Sequence, residues 1–210
     1  MLIRFIYLIS FCVITLFHSN TSQAKTLNTT SPQISLPQIE LYLNNLKTVK
    51  SDFLQTANDG TQLEGQFFLK RPGKLRFQYA PPLKDFIVAD GLFIYFYDAE
   101  MEQQSHTTIG NSLADFILRK NIKLSGDVRV SDYKMAGGLL QVTLRSAEDP
   151  ESGSLTLGFQ PKPLELKKWR VVDAQGYVTE IELLNLKKDL KLNNKLFHYI
   201  DPKRLRPQYN

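Results

Sequence analysis

Leu69 to Asp98 reads LKRPGKLRFQYAPPLKDFIVADGLFIYFYD, three strand-like segments with apolar residues on both faces. In an antiparallel sheet that packs one face on a core and wets the other, apolar and polar residues alternate. Leu75, Phe77 and Tyr79 keep that alternation against Lys74, Arg76 and Gln78. Phe86-Ile87-Val88-Ala89 and Leu92-Phe93-Ile94-Tyr95-Phe96-Tyr97 leave no polar face. Such a sheet needs covering twice, by a second layer of the chain or by a ligand.

Outward from this stretch, nearly everything reads as strand. Segments near 52–56, 62–70, 74–79, 85–89, 93–97 and 103–108 are divided by Asp59-Gly60, Arg71-Pro72-Gly73, Pro81-Pro82, Asp90-Gly91 and Asp98-Ala99-Glu100. These turn chemistries reverse a chain tightly, so consecutive strands should pair as hairpins. Further strands are expected near 128–135, 139–146, 154–160, 165–172, 178–186 and 195–199, with no fixed-period repeat. From Pro37 to Lys50 the spacing of Ile39, Tyr42, Leu43, Leu46 and Val49 predicts an amphipathic helix, and Leu113, Phe116 and Ile117 predict a second, short one over 112–119. A meander of about ten to twelve strands with few helices either closes into a barrel or curls and is plugged. Two apolar faces favour a strongly curved antiparallel sheet with helices in its concavity.

The ends set the compartment. Arg4, an apolar run from Phe5 to Phe17 and small residues at Ser22 and Ala24 read as a secretory signal over 1–24, cleaved before Lys25. Residues 25–36 are polar with no apolar period and read as a flexible leader, leaving 37–210 as one domain. The single cysteine, Cys12, lies inside the signal and follows Ser10-Phe11 rather than small residues, so neither a lipid anchor nor a disulfide is expected in the mature chain. Loss of Arg4 with the signal lowers the formal charge from +5 to +4. That mild basicity is spread along the chain, apart from Lys203, Arg204 and Arg206, and does not point to nucleic acid.

Catalytic chemistry is missing. His18 leaves with the signal, while His106 and His198 are expected on strands with no second ligand at metal spacing. No G-x-S-x-G elbow and no phosphate loop occurs, and Glu180 and Glu182 share a strand face as on any solvated sheet. No enzyme activity, metal or cofactor is expected.

Arg71-Pro72-Gly73-Lys74 is the sharpest local motif. Pro72 presets a turn, Gly73 accepts its unusual dihedrals, and Arg71 stands at a strand end where its planar fork can reach carbonyls of another element or simply meet solvent. Taken in succession, Phe53-x-Gln55, Gly65-Gln66-Phe67, Arg71 to Phe77, Pro81-Pro82, Ile87 to Gly91 and Tyr97-Asp98 resemble the periplasmic outer-membrane lipoprotein carrier family, LolA. The matching blocks run from the first helix to about Arg119; beyond Lys120 the likeness is one of strand count and a late Trp169 strand.

The resemblance implies a mainly β fold: an unclosed, strongly curved antiparallel half-barrel of about 11 strands with helices lidding the concave face. It implies a monomeric carrier that takes acylated lipoproteins from an inner-membrane ABC exporter complex to an outer-membrane lipoprotein receptor. Arg71 is then the residue that gates the lid. Ile39, Leu43 and Leu46 form the lid's apolar face, and Leu75, Phe77, Tyr79, Phe86, Val88, Phe93, Tyr95 and Tyr97 are candidates for the acyl cavity. Alternation does not say whether that last set or Ile87, Ile94 and Phe96 points inward. A short basic end over Lys203 to Asn210 and a long polar leader depart from the family pattern. The physics agrees, because acyl chains gain roughly 0.8 kcal/mol per buried CH₂ and cannot cross water unaided. A binder of another envelope lipid, glycolipid or phospholipid, is the alternative on the same fold; an extracytoplasmic hydrolase has least support.

Overall fold

The computed structural model describes residues 34–205. The expected signal and all but the end of the expected leader lie outside the described residues. Leu36 already opens the first helix, α1 (Leu36–Asn45), which is started by Ser35, whose backbone N–H donates to Gln38 Oε1 at 2.7 Å. The helix ends at Asn45 rather than continuing to Lys50. Val49 keeps the apolar period because it is an inward residue of the first strand, where Val49, Ser51 and Phe53 alternate as buried positions.

Eleven strands follow: β1 (Thr48–Thr56), β2 (Gln62–Lys70), β3 (Lys74–Tyr79), β4 (Phe86–Asp90), β5 (Phe93–Asp98), β6 (Gln103–Thr108), β7 (Val128–Ala136), β8 (Leu139–Ser146), β9 (Gly153–Pro161), β10 (Leu164–Asp173) and β11 (Val178–Lys188). They form one antiparallel sheet in the order β6-β5-β4-β3-β2-β1-β11-β10-β9-β8-β7. Two meanders are thus joined where the first strand pairs with the last, and β6 and β7 remain edges, so the sheet is not closed. The second expected helix shrinks to α2 (Asp115–Leu118), preceded by a 3-10 turn at Ile109–Asn111. The expected strand over 195–199 is instead a 3-10 turn, Asn194–Phe197, started by Asn193 Oδ1 accepting from Lys195 N at 2.9 Å. His198 therefore follows a turn and does not lie on a strand.

Eleven strands laid flat would span roughly 50 Å, whereas α1 is about 15 Å long. A single apolar core nevertheless joins α1 and α2 to residues of every strand except β6. The sheet must wrap around its helices for that core to exist. Close packing is visible at Gly65, opposite Phe53 on β1: an added Cβ would come within 2.8 Å of the Phe53 ring and 2.2 Å of Gln78 O.

Pairing decides the faces. Phe77 stands opposite Phe67 and Ile87, and Leu75 opposite Leu69 and Ala89, which puts all six on the helix-covered face. Ile87 and Ala89 in turn pair with Phe96 and Ile94. Phe86, Val88, Phe93, Tyr95 and Tyr97 consequently look outward. There Phe86, Val88 and Tyr97 form a second cluster with Tyr95, Ala99 and Tyr199. The chain after β11 lies over it, with Tyr199 stacked on Tyr95 at 4.8 Å and 12°.

Candidate functional site

The inner face of β1, β2, β3 and β10 is lined by aromatic rings. Phe53 meets Phe77 at 5.1 Å and Tyr79 at 5.4 Å; Phe67 meets Phe77 at 4.8 Å and Trp169 at 5.3 Å. Against them α1 presents Ile39 and Leu43, both buried, followed by Leu46 at its end. Leu118 of α2 and then Ile122 and Leu124 complete the cover. Between Leu43, Leu46, Phe67, Arg71, Ile117 and Trp169 only about 20 Å³ is left, room for at most one water. The covering helices fill the concavity with their own side chains.

Arg71 holds this arrangement from the β2–β3 turn. One terminal nitrogen, Nη1, donates to Leu43 O on α1, while Nη2 donates to Arg119 O at 2.6 Å and Lys120 O at 3.3 Å just past α2. The backbone of the same turn adds Arg71 N to Lys47 O and Gly73 N to Leu118 O, each 2.8 Å. Gly73 has φ +78°, and a Cβ there would approach Gly91 Cα within 2.9 Å, so the two neighbouring turns require glycine at this point. Arg71 is only 9% exposed, its Nε is buried without a partner, and its acceptors are all neutral carbonyls. Burial lowers its pKa from the ordinary value. A buried cation with no counter-charge keeps part of its desolvation cost, so the closed arrangement is held specifically but not deeply.

Three further ties were not legible in the sequence. Asn44 bonds Ile122 twice, Nδ2 to O and N to Oδ1, both 2.9 Å. Glu40 Oε1 accepts from Leu124 N at 2.6 Å. Tyr42 Oη accepts from Leu166 N at 2.9 Å, beside the irregularity between β9 and β10, and burial raises the Tyr42 pKa. Asn44 and Glu40 are polar residues of α1 that find these partners only because the loop after α2 folds against the helix.

Of the expected site residues, the structure brings together Arg71, Ile39, Leu43, Leu46, Leu75, Phe77 and Tyr79. It does not bring Phe86, Val88, Phe93, Tyr95 and Tyr97 to them. Those five lie on the opposite face, and Ile87, Ala89, Ile94 and Phe96 occupy the inward positions instead. Tyr79 donates to Gln55 Oε1 at 2.8 Å, and burial, with the charge of Asp85 adding to it, pushes its pKa up to about 12. Beyond the helices, where β4 and β5 meet their connecting turns, an open cleft of about 840 Å³ has Leu63, Leu83, Ile87 and Phe96 on its apolar side, charged Lys84, Asp85, Asp98 and Glu100 around it, and reaches round the sheet end to Phe86 and Tyr97. Phe96 is 40% exposed there.

His106 sits on β6 with its ring against Phe93 and Tyr95. No group of His, Cys, Asp or Glu that could hold a metal occurs among the described residues, and none of their helices is long and apolar enough to cross a membrane.

Residues 44–200 match the model of the family described as outer membrane lipoprotein carrier protein LolA. An outer-membrane lipoprotein carrier protein of Methylococcus capsulatus is 26% identical, the alignment covering 86% of this chain and 87% of that one. The protein of the same description from Legionella pneumophila (strain Paris) is 29% identical over 81% of this chain and 88% of its own. Among solved structures, a LolA superfamily protein from Nitrosomonas europaea aligns over 79% of this chain and 98% of that chain at 10% identity, with a TM-score of 0.43.

Proposed function

The chain belongs to the outer membrane lipoprotein carrier protein LolA family, and from that premise we propose that it is a soluble, monomeric periplasmic carrier of acylated lipoproteins. The mature chain, freed of residues 1–24, receives its cargo from an inner-membrane ABC exporter complex and delivers it to an outer-membrane lipoprotein receptor. It catalyses no reaction. The inner face takes the acyl chains, α1 and α2 act as a lid, and Arg71 is the latch.

One observation carries this reading: the concavity is filled by apolar side chains of helices that a single buried arginine fastens through backbone carbonyls. Burial of Ile39, Leu43 and Leu46 is worth about 1.5–3 kcal/mol each. Roughly six to eleven acyl methylenes at ~0.8 kcal/mol recover that amount, so one long chain suffices to displace the lid and further chains supply the net affinity. Competition between lid and cargo keeps binding reversible without nucleotide. The uncovered stretch around Phe96 and Leu83 offers acyl chains a first apolar contact while the lid is still closed.

Incubation of the purified protein with spheroplasts tests the proposal. Lipoproteins should appear in the supernatant as a soluble one-to-one complex. A supernatant without lipoprotein, from protein shown to be folded, excludes the carrier role.

A further inference from the structure

On the outer face the segment following β11 crosses β3 and β4 and leaves a cleft of about 510 Å³ beneath it. Arg76, Gln78 and Phe86 line it from the sheet; Lys195, His198 and Ile200 line it from the crossing segment. The Arg76 guanidinium lies 4.7 Å from the Phe86 ring centre. Its Nε and Nη2 donate to Gln78 Oε1 at 3.1 and 2.5 Å, and Nη1 reaches Leu196 O at 3.5 Å. Both acceptors, Gln78 Oε1 and Leu196 O, are neutral.

Arg71 shares this lack of a counter-charge but is shut in beneath the lid with no cleft beside it for a ligand, whereas two other partly buried cations are paired with carboxylates. Arg119 is paired with Asp115 and Asp127, and Lys168 with Glu180. The cleft at Arg76 has no carboxylate in its lining, and it adds a lysine and a histidine to the arginine. Burial lowers the Arg76 pKa with no opposing contribution from an acid. A desolvated cation kept without a counter-ion, in a cleft open to solvent and flanked by further donors, is a place where an anion would be stabilised from two sides. The cleft is also half apolar, because Phe86 forms its floor and Ile200, 54% exposed, stands at its rim.

We propose that this outer cleft binds a phosphate group, the anion seated among Arg76, Lys195 and His198 and any apolar part of the ligand lying against Phe86 and Ile200. The site is separate from the lidded inner face and independent of cargo carriage. The phosphate arrives either on an anionic lipid headgroup or as a free phosphate or small phosphate ester.

The test titrates inorganic phosphate into the isotope-labelled protein and follows the backbone amides of residues 193–198 and the Arg76 Nε–H by NMR, and in parallel sediments the protein with vesicles of phosphatidylglycerol or of phosphatidylcholine. The variant combines Lys195→Gln and His198→Gln, both on the crossing segment and not part of the sheet. Saturable shifts in the parent, weakened at least about tenfold in the variant, are expected from the loss of charge-assisted hydrogen bonds. Sedimentation with phosphatidylglycerol alone, reversed by inorganic phosphate, identifies the headgroup as the source; saturable shifts without sedimentation identify a soluble phosphate. Absence of both saturable shifts and phosphatidylglycerol-dependent sedimentation overturns the proposal, as does equal binding by parent and variant.

Discussion

The two faces of the sheet are covered by two segments of chain, each met by an arginine of the β2–β3 hairpin, and they differ in how firmly they are held. On the inner face Arg71 reaches out to carbonyls on the covering helices themselves, Leu43, Arg119 and Lys120. On the outer face Arg76 is satisfied chiefly by Gln78 of its own strand and by the Phe86 ring, and the covering segment is fixed by interleaved aromatic residues such as Tyr199 on Tyr95. Lys70 adds a bond to Leu192 O at 3.1 Å and one to Asn194 Oδ1 at 2.7 Å. The inner cover is tied to the sheet by hydrogen bonds at Arg71 and its turn and between Tyr42 and Leu166, which water can replace as the cover lifts. The outer cover is interlocked through stacked rings as well, so the inner cover is suited to a lid and the outer one to a permanent strap.

Truncating one fully buried ring on each side gives the largest effect. Phe67→Ala under the lid and Phe197→Ala on the strap itself should each cost about 3–5 kcal/mol in urea unfolding, since both rings are buried. Only Phe67→Ala should alter affinity for an acylated peptide; an equal change from Phe197→Ala would erase the division between the faces.

The two arginines sharpen it next. Arg71→Leu strands the Leu43, Arg119 and Lys120 carbonyls and should lower stability by about 1–3 kcal/mol. With the lid unable to close, the protein should keep its cargo, and transfer to receptor-bearing membranes should slow by about tenfold or more. Arg76→Leu should leave transfer at the parental rate. Asn44→Ala removes both bonds to Ile122 and should cost about 1–2 kcal/mol locally. Faster hydrogen exchange at the Ile122 amide, with Tyr199 exchange unchanged, is the expected reading.

The smallest effect is one of pH. Unfolded Tyr79 ionises near 10, whereas the folded residue stays neutral until about 12. The folded state therefore binds more protons in that window, and its stability falls as pH rises from 10 toward 12, by about 1 kcal/mol per pH unit or less. Tyr79→Phe should remove that part of the slope in denaturant titrations at pH 9 to 11.

Most of the hairpin order was legible because Asp59-Gly60, Arg71-Pro72-Gly73 and Asp90-Gly91 mark their turns in the sequence. Arg71 was legible as a turn residue able to reach carbonyls, though not which ones. The facing of Phe86 to Tyr97 was not, because a period of two carries no information when both faces are apolar. It is fixed by the neighbour β3, whose Leu75, Phe77 and Tyr79 do alternate, through the pairs Phe77–Ile87 and Ile87–Phe96. The segment 195–199 reads as strand around Phe197, His198 and Tyr199, but the Asn193 side chain starts a 3-10 turn there instead. Asn44 and Glu40 gain meaning only from a loop some eighty residues away.

Spin labels at Leu41→Cys, on the exposed side of α1, and Glu182→Cys, on the outer side of β11, report directly on the lid. The chain has one native cysteine, Cys12, inside the expected signal, so protein produced from Lys25 onward carries no other label site. Addition of an acylated peptide should lengthen the distance between the labels by several ångströms as the acyl chains replace Ile39, Leu43 and Leu46 against the aromatic wall. A bound peptide with the distance unchanged would contradict the lid.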